Sequence, residues 1–497
     1  MKMKILFKNS VLLLGLTGLL IGTGCKKTLD INTNPNVPDV SQGTPKLVFP
    51  AAVVATAARV GGDLAVLGAI WGEYATQSAL SSQYRQLDAY NVDGSQLNGP
   101  YTGMMSSGLK NYQFIINKSK EQGDWNFYLM ATVMKAYTAQ ILVDLYDKIP
   151  YFEALQGAEN LNPKFDDGYA IYKDLLAGID TALAKDFNAS TNTPTSLIGA
   201  SDLVFSGNIT RWKQFANTLK LKMFLRMVNA KPAEAQAGIQ ALYTANAQFL
   251  TVDAGMFGFT DAPGRDNPMY EQNIRQLNTP DNIRASVTLT SFLQANSDPR
   301  ITYFFGSASP GAIHQGDFLS TNSAYGSAAR LVQRPTDPVI FLSAAESYFL
   351  QAEARERYFA GAGAKALYDL GVQTAFVNMG STIAAANTLL AGAYAYPVAG
   401  TLAQKIEAII VQKWLSFGYG VHYIEGFFER NRTGYPKTSP VYSTSASYVP
   451  GQFVVSKNSV LAAGQFPKRL VYPDVETTRN ENAPAVVPIT TPVWWGL

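Results

Sequence analysis

Apolar residues recur every four positions at Leu129, Val133, Tyr137, Ile141 and Leu145, which sets one ridge along a helix. Pro150 is the expected stop. The same spacing predicts a helix over 169–184, where Ile171, Leu175, Leu176, Ile179 and Leu183 share a side, and further helices over 212–228 and 233–243. Residues 344–358 and 364–376 form another pair, joined by Ala360-Gly361-Ala362-Gly363, and 402–417 adds one more helix. Ala345, Ala352, Ala354, Ala364 and Ala366 are small enough to let two helices approach closely. Pairs of this texture are tetratricopeptide-like, although loop-rich insertions break any regular period.

Between the helical segments the pattern changes. Residues 47–80 are Ala- and Val-rich with helical spacing, whereas 81–108 are rich in Gly, Asn, Ser and Tyr and read as a long loop. Gly, Pro, Ser and Thr are frequent again over 251–334 and from Arg432 onward. The reading is a mainly α fold. Tetratricopeptide-like helix pairs form its scaffold, and long ordered loops and a few short strands complete it. No boundary divides 46–497, so a single domain is expected there.

The start of the chain follows other rules. Lys2, Lys4 and Lys8 precede an apolar run from Val11 to Ile21 and the small residues Gly22-Thr23-Gly24, the plan of a secretory leader over 1–24. The run is shorter than the ~20 residues that span a bilayer. The single cysteine, Cys25, comes next. A small-residue run ending at a lone Cys resembles the lipobox of bacterial lipoproteins, in which the thiol takes a diacylglyceryl group, a peptidase cuts before it and the new amine is acylated. A chance Cys after an ordinary leader is the alternative, but an unpaired thiol suits an exported protein badly. Two acyl chains hold a protein stably on a membrane. Residues 25–45, rich in Asn, Pro, Asp, Thr and Ser, then read as the lipidated Cys and a flexible linker. No later segment approaches ~20 uninterrupted apolar residues.

Composition narrows the chemistry. The chain has 497 residues, 47% of them hydrophobic and 15% charged, which excludes a disordered protein. Its formal charge of +3 falls to zero once the three leader lysines are removed, so there is no electrostatic footprint for nucleic acid. One Cys excludes an intramolecular disulfide and a Cys-rich zinc site. His314 and His422 are the only histidines, and neither lies in a GxSxG, HExxH or phosphate-loop signature. No catalytic residue, metal or cofactor is expected. Glu346 and Glu353 are seven apart and share a helix face. They are either a hydrolytic carboxylate pair or salt-bridge partners inside a helix stack, the second being the reading adopted. Asp166-Asp167 is explained as a helix N-cap.

Aromatic residues reach 12%, and many tyrosines fall in the predicted loops rather than on helix ridges. A Tyr or Trp face stacks on the C–H face of a sugar ring or on a peptide side chain while its polar tip stays wet. On that ground the candidate ligand-binding residues are Trp71, Tyr74, Tyr84, Tyr90, Tyr101, Tyr270, Arg275 and Tyr303, with Tyr325 in the same class. The competing reading is that loop tyrosines pin long loops to the core.

Several ordered motifs carry a family resemblance: Leu29-Asp30-Ile31-Asn32-Thr33-Asn34-Pro35-Asn36, Pro150-Tyr151-Phe152-Glu153-Ala154-Leu155, and Trp212-Lys213-Gln214-Phe215-Ala216-Asn217-Thr218-Leu219. They continue with Asp298-Pro299-Arg300, Ala345-Glu346 through Ala352-Glu353-Ala354, Phe428-Glu429-Arg430-Asn431-Arg432 and Arg469-Leu470-Val471-Tyr472-Pro473. In this order they resemble the SusD/RagB family of outer-membrane nutrient-binding lipoproteins. The resemblance implies a loop-rich ligand face on a non-catalytic, lipid-anchored protein of the outer membrane, displayed at the cell surface. It implies capture of oligosaccharides or peptides and delivery to a SusC-like TonB-dependent barrel. Two other readings are a surface hydrolase using a carboxylate pair and a helical-repeat scaffold or adhesin.

Overall fold

The computed structural model describes residues 43–156 and 160–497. The leader, Cys25 and the linker up to residue 42 lie outside the described residues. The principal helices are α1 (Pro45–Val60), α2 (Asp63–Trp71), α3 (Lys110–Gln122), α4 (Trp125–Tyr146), α5 (Gly168–Leu183), α6 (Ile209–Arg226), α7 (Pro232–Thr244), α8 (Ala344–Tyr358), α9 (Ala364–Asn378), α10 (Leu402–Ser416) and α11 (Ile424–Thr433). Consecutive helices pack in pairs: α3 on α4, α4 on α5, α6 on α7, and α8 on α9. The architecture is mainly helical, as the apolar spacing implies.

Helix α4 starts because the Asp124 carboxylate accepts the Phe127 N–H at 3.3 Å. It stops at Tyr146, before Pro150, where Asp147 turns the chain with φ of 69° and Lys148–Pro150 enters a strand. Thr138, Gln140 and Asp144 are buried along with the apolar ridge, so α4 is a central helix enclosed on all sides. The Asp167 carboxylate caps α5 on the Ala170 N–H at 3.0 Å, and Asp166 accepts the Tyr151 and Phe152 N–H groups. In the α8–α9 pair, Ala345, Ala352, Ala354 and Ala364 are buried as the small-residue argument requires, but Ala366 faces solvent. Gly371 is the close-contact residue instead: a Cβ there would lie 2.7 Å from the Phe349 ring.

The span Pro45–Trp71 has the length and mean hydropathy (1.6) of a membrane helix, yet 72% of its most apolar window is buried in the fold. Helix α2 lies against α11 so closely that a Cβ on Gly68 would sit 2.2 Å from the Ile424 backbone nitrogen.

Where α4, α6, α8, α10 and α11 converge, the core is ionic. Lys222 bridges Glu346 (3.2 Å) and Glu425 (2.6 Å); Arg226 reaches Asp144 (3.1 Å), Glu425 (2.8 Å) and Glu429. Arg432 joins Glu353 (2.7 Å) to Glu429 (2.6 Å), and Lys413 lies 3.3 Å from Glu429. All of these side chains are buried. Charges taken out of water this far persist only when paired and hydrogen-bonded. The cluster therefore fixes which helices meet and in what register.

Three two-stranded antiparallel ladders complete the frame: β1 (Ala75–Gln77) with β5 (Ile283–Ala285), β2 (Lys148–Pro150) with β3 (Phe165–Asp167), and β4 (Ala254–Met256) with β6 (Val339–Leu342). In the first, Thr76 opposes Arg284, and both strands are buried. This ladder sets the base from which the loops of the candidate site depart. The segment read as a loop over 81–108 contains short helices at Arg85–Asp88 and Asn98–Thr102 and a wider turn over Gly103–Leu109.

Candidate functional site

After β1 the chain turns outward, and buried polar side chains dictate its path. Gln77 Oε1 accepts the Tyr84 N–H at 2.6 Å, while its Nε2 donates to the Ser81 carbonyl at 3.0 Å and to Ser81 Oγ at 2.8 Å. The Asp88 carboxylate accepts from Thr76 Oγ1 (2.6 Å), Gln77 N (2.8 Å) and Gln315 Nε2 (3.0 Å). Burial pushes the Asp88 carboxyl up to about 6, against the opposing effect of those three bonds. The Trp71 indole donates to the Leu87 carbonyl at 2.9 Å. These anchors hold residues 78–88 in one shape.

The shape encloses a cleft of about 320 Å³. Leu64, Leu67, Leu87, Val92 and Pro100 form its apolar part, Tyr84 lines it, and Gln83, Gln86, Gln96, Gln272 and Asp63 supply its polar groups. Asp63 is already engaged: it accepts from Arg59 at 3.1 Å and from Gln272 at 3.0 Å. Gln96 donates to Gln86. Burial, with Asp63 nearby, pushes the Tyr84 hydroxyl well above its ordinary range, so it stays protonated. Amides both donate and accept without carrying charge. An apolar floor beneath a ring of amides suits a ligand with hydroxyls on its edge and C–H groups on its face.

Of the residues singled out from the sequence, only Tyr84 lines this cleft. Trp71, Tyr74, Tyr90 and Tyr101 are corrected to core residues, with 4%, 0%, 3% and 2% of their surface exposed. Tyr74 donates to the Trp414 carbonyl at 2.7 Å, and Tyr101 packs edge-on to Tyr146 at 5.4 Å. For these four, the loop-pinning reading holds. Tyr325 is buried too and donates to Asp317 at 2.9 Å. Tyr270 is half-buried beneath Arg275, whose guanidinium carbon is 5.4 Å from the ring centroid. Arg275 is in turn held by Asp266, Asp261 and Glu271. Tyr303 is half-buried under Arg334 at 5.0 Å. Tyr270, Arg275 and Tyr303 line no part of the Tyr84 cleft.

The residues that sequence reasoning passed over are the glutamines. Gln83 and Gln86 flank Tyr84 at a spacing of three, which puts both on one side of a short helical turn. That spacing around a loop tyrosine was the available signal.

A family model for SusD-like proteins, described as starch-binding and associating with the outer membrane, matches residues 66–473. The chain belongs to the SusD-like family. Its fold is similar to that of a chitin-binding SusD homologue from Flavobacterium johnsoniae, at 21% identity and a TM-score of 0.74, covering 91% of this chain and 98% of that one. A SusD homologue from Bacteroides uniformis is alike to the same degree, with 21% identity, a TM-score of 0.74, and 90% and 99% coverage. A SusD-like protein from Bacteroides thetaiotaomicron matches at 20% identity and a TM-score of 0.69, covering 90% and 98%. No curated protein sequence matches the chain.

In this SusD-like chain the acids considered for hydrolysis are structural. Glu346 and Glu353 are wholly buried, and their partners are Lys222 and Arg432. His422 is buried beside them, and burial together with Lys222 and Lys413 pushes its pKa down to about 3, so it is neutral. His314 Nδ1 shares a 2.7 Å hydrogen bond with Ser443, tying two loops together. Among the described residues no group of three or more His, Cys, Asp or Glu side chains is placed to hold a metal ion.

Proposed function

We propose that this SusD-like protein is a non-catalytic capture protein for a neutral oligosaccharide, which it holds in the Tyr84 cleft. The observation that carries the reading is the ring of uncharged amides, Gln83, Gln86, Gln96 and Gln272, above an apolar floor. Sugar hydroxyls need donors and acceptors in equal measure, and amides supply both. Charged termini and side chains of a peptide would instead meet a cleft whose one acid, Asp63, is already paired. The starch-binding description of the family and the chitin binding of one structural relative support the same ligand class.

In this proposal acylated Cys25 anchors the chain to the outer membrane, at the cell surface, and residues 26–45 give it reach. Captured oligosaccharide passes to a SusC-like TonB-dependent barrel, and closure of the protein over that partner lets individually weak contacts retain the ligand.

The test is calorimetric titration of the purified chain with malto- and chito-oligosaccharides, with product analysis of the same samples. Binding without shortened products is expected. Gln83→Ala combined with Gln272→Ala removes two hydrogen-bonding groups worth ~0.5–1.5 kcal/mol each, so affinity should fall about tenfold. Release of shorter oligomers, preferential binding of peptides, or unchanged affinity in the double variant would overturn the reading.

A further inference from the structure

A second cleft, of about 320 Å³, lies between the C-terminal end of α7 and helix α8. Tyr243, Asn246, Phe249, Tyr348, Gln351 and Arg355 line it. Tyr348, Gln351 and Arg355 are spaced by three and four, so α8 presents them along one face. The Arg355 guanidinium carbon lies 4.2 Å from the Tyr243 ring centroid and 5.1 Å from that of Phe359. Those two rings meet at 4.8 Å with an interplanar angle of 63°, and Phe249 packs on Tyr243 at 5.5 Å.

Arg355 differs from its neighbours in what it pairs with. Arg357, two residues on, holds Glu353 at 2.8 Å, and Arg432 holds Glu353 and Glu429. Among the described residues Arg355 has no carboxylate partner; aromatic faces hold it instead. Stacking of this kind fixes the planar fork, whose N–H groups apart from a contact with the Tyr243 hydroxyl have no partner among the described residues, and such a fork matches an oxyanion bidentately. Burial outweighs Arg355 at Tyr243 and pushes its hydroxyl up to about 12, so that group remains a donor. Asn246 adds an amide, Gln351 adds an amide oxygen while its Nε2 donates to Ser347, and Tyr348 adds a half-buried ring.

We propose that this cleft is a second ligand site, taking an acidic sugar unit whose oxyanion pairs with Arg355 and whose ring lies against the aromatic wall. The site is independent of the Tyr84 cleft, which has no unpaired cation among its lining residues. Carboxylate-bearing and sulfated sugars share the required chemistry.

The experiment uses the detergent-solubilised mature chain, titrated with an oligogalacturonate, a sulfated oligosaccharide and a neutral malto-oligosaccharide, each at low and high salt. At least one acidic oligomer should bind, more weakly at high salt, and the one that does identifies the oxyanion. Arg355→Gln should weaken that binding by about tenfold or more. Tyr348→Ala should weaken it as well, with thermal unfolding followed by circular dichroism to verify the fold; if Arg355→Gln does not fold, Tyr348→Ala decides. Failure of both acidic oligomers to bind, an equal loss of neutral-oligomer binding in Arg355→Gln, or undiminished binding of the acidic oligomer by the folded variants would overturn the proposal.

Discussion

Removing one cation from the buried ionic cluster should cost far more than removing one from the surface. In the native protein Arg226 touches Asp144 at 3.1 Å, Glu425 at 2.8 Å and Glu429, and all four side chains are buried. Arg226→Met keeps most of the aliphatic stem and deletes the charge. Glu425 then retains Lys222 at 2.6 Å, and Glu429 retains Arg432 at 2.6 Å and Lys413 at 3.3 Å. Asp144 is left with neutral donors: Gln140 and the Trp495 indole, each at 2.7 Å, and Tyr172 at 2.5 Å. Breaking a buried pair in this way costs ~3–5 kcal/mol. Lys365→Met, which breaks the exposed Lys365–Asp369 pair, should cost only ~0–1 kcal/mol. Urea unfolding followed by tryptophan fluorescence reports both, because Trp212, Trp414 and Trp495 are buried in the core. Adding Asp144→Asn to Arg226→Met should recover part of the loss, since it neutralises the orphaned acid. An Arg226→Met penalty no larger than that of Lys365→Met would refute the argument.

Three further outcomes are expected. Burial pushes the Glu73 carboxyl from 4.5 up to about 8; the folded chain then keeps a proton that the unfolded chain releases, so stability falls as pH rises through that window. Glu73→Gln cannot titrate and should flatten this slope in urea midpoints measured across it; a slope equal to that of the native protein would exclude Glu73 as its source. Gly68→Ala places a Cβ 2.2 Å from the Ile424 backbone nitrogen, and overpacking of that kind should cost ~1–3 kcal/mol by urea unfolding, whereas a neutral result would mean that α2 and α11 separate freely. Cys25→Ala should leave the circular dichroism spectrum unchanged and release the protein from membranes, and a variant that stays with the outer membrane after salt and carbonate washing would argue against an acyl tether.

How much of this was legible in the sequence depended on what burial does to each residue type. The ridge from Leu129 to Leu145 and the repeats of α5 to α10 could be read because apolar positions there recur with helical period. The Glu346 and Glu353 spacing could also be read, since two acids on one helix face in an Ala-rich stretch require partners. Helix α11 was hidden: Glu425, Glu429, Arg430, Asn431 and Arg432 look like a solvated surface, yet all are buried. Its polar residues face other charges rather than water, and no single-segment pattern reveals that. The aromatic residues misled for the opposite reason. Gly- and Ser-rich surroundings marked Tyr90 and Tyr101 as loop residues, but the loops fold back and their rings fill the core. What was left to meet a ligand in the Tyr84 cleft was mostly amide, a residue type with no periodic signature.

The anchors beneath the Tyr84 cleft have a bearing on how its preference can change. Gln77 and Asp88 grip the backbone from below, while Gln83, Gln86 and Gln96 stand in solvent and share none of those bonds. Exposed substitutions remote from such supports usually shift stability by less than ~0.5 kcal/mol. Scaffold and selectivity are thus encoded by separate sets of side chains a few positions apart. On the proposed function, exchanging one sugar for another needs changes only at these exposed positions and leaves the folding instructions untouched.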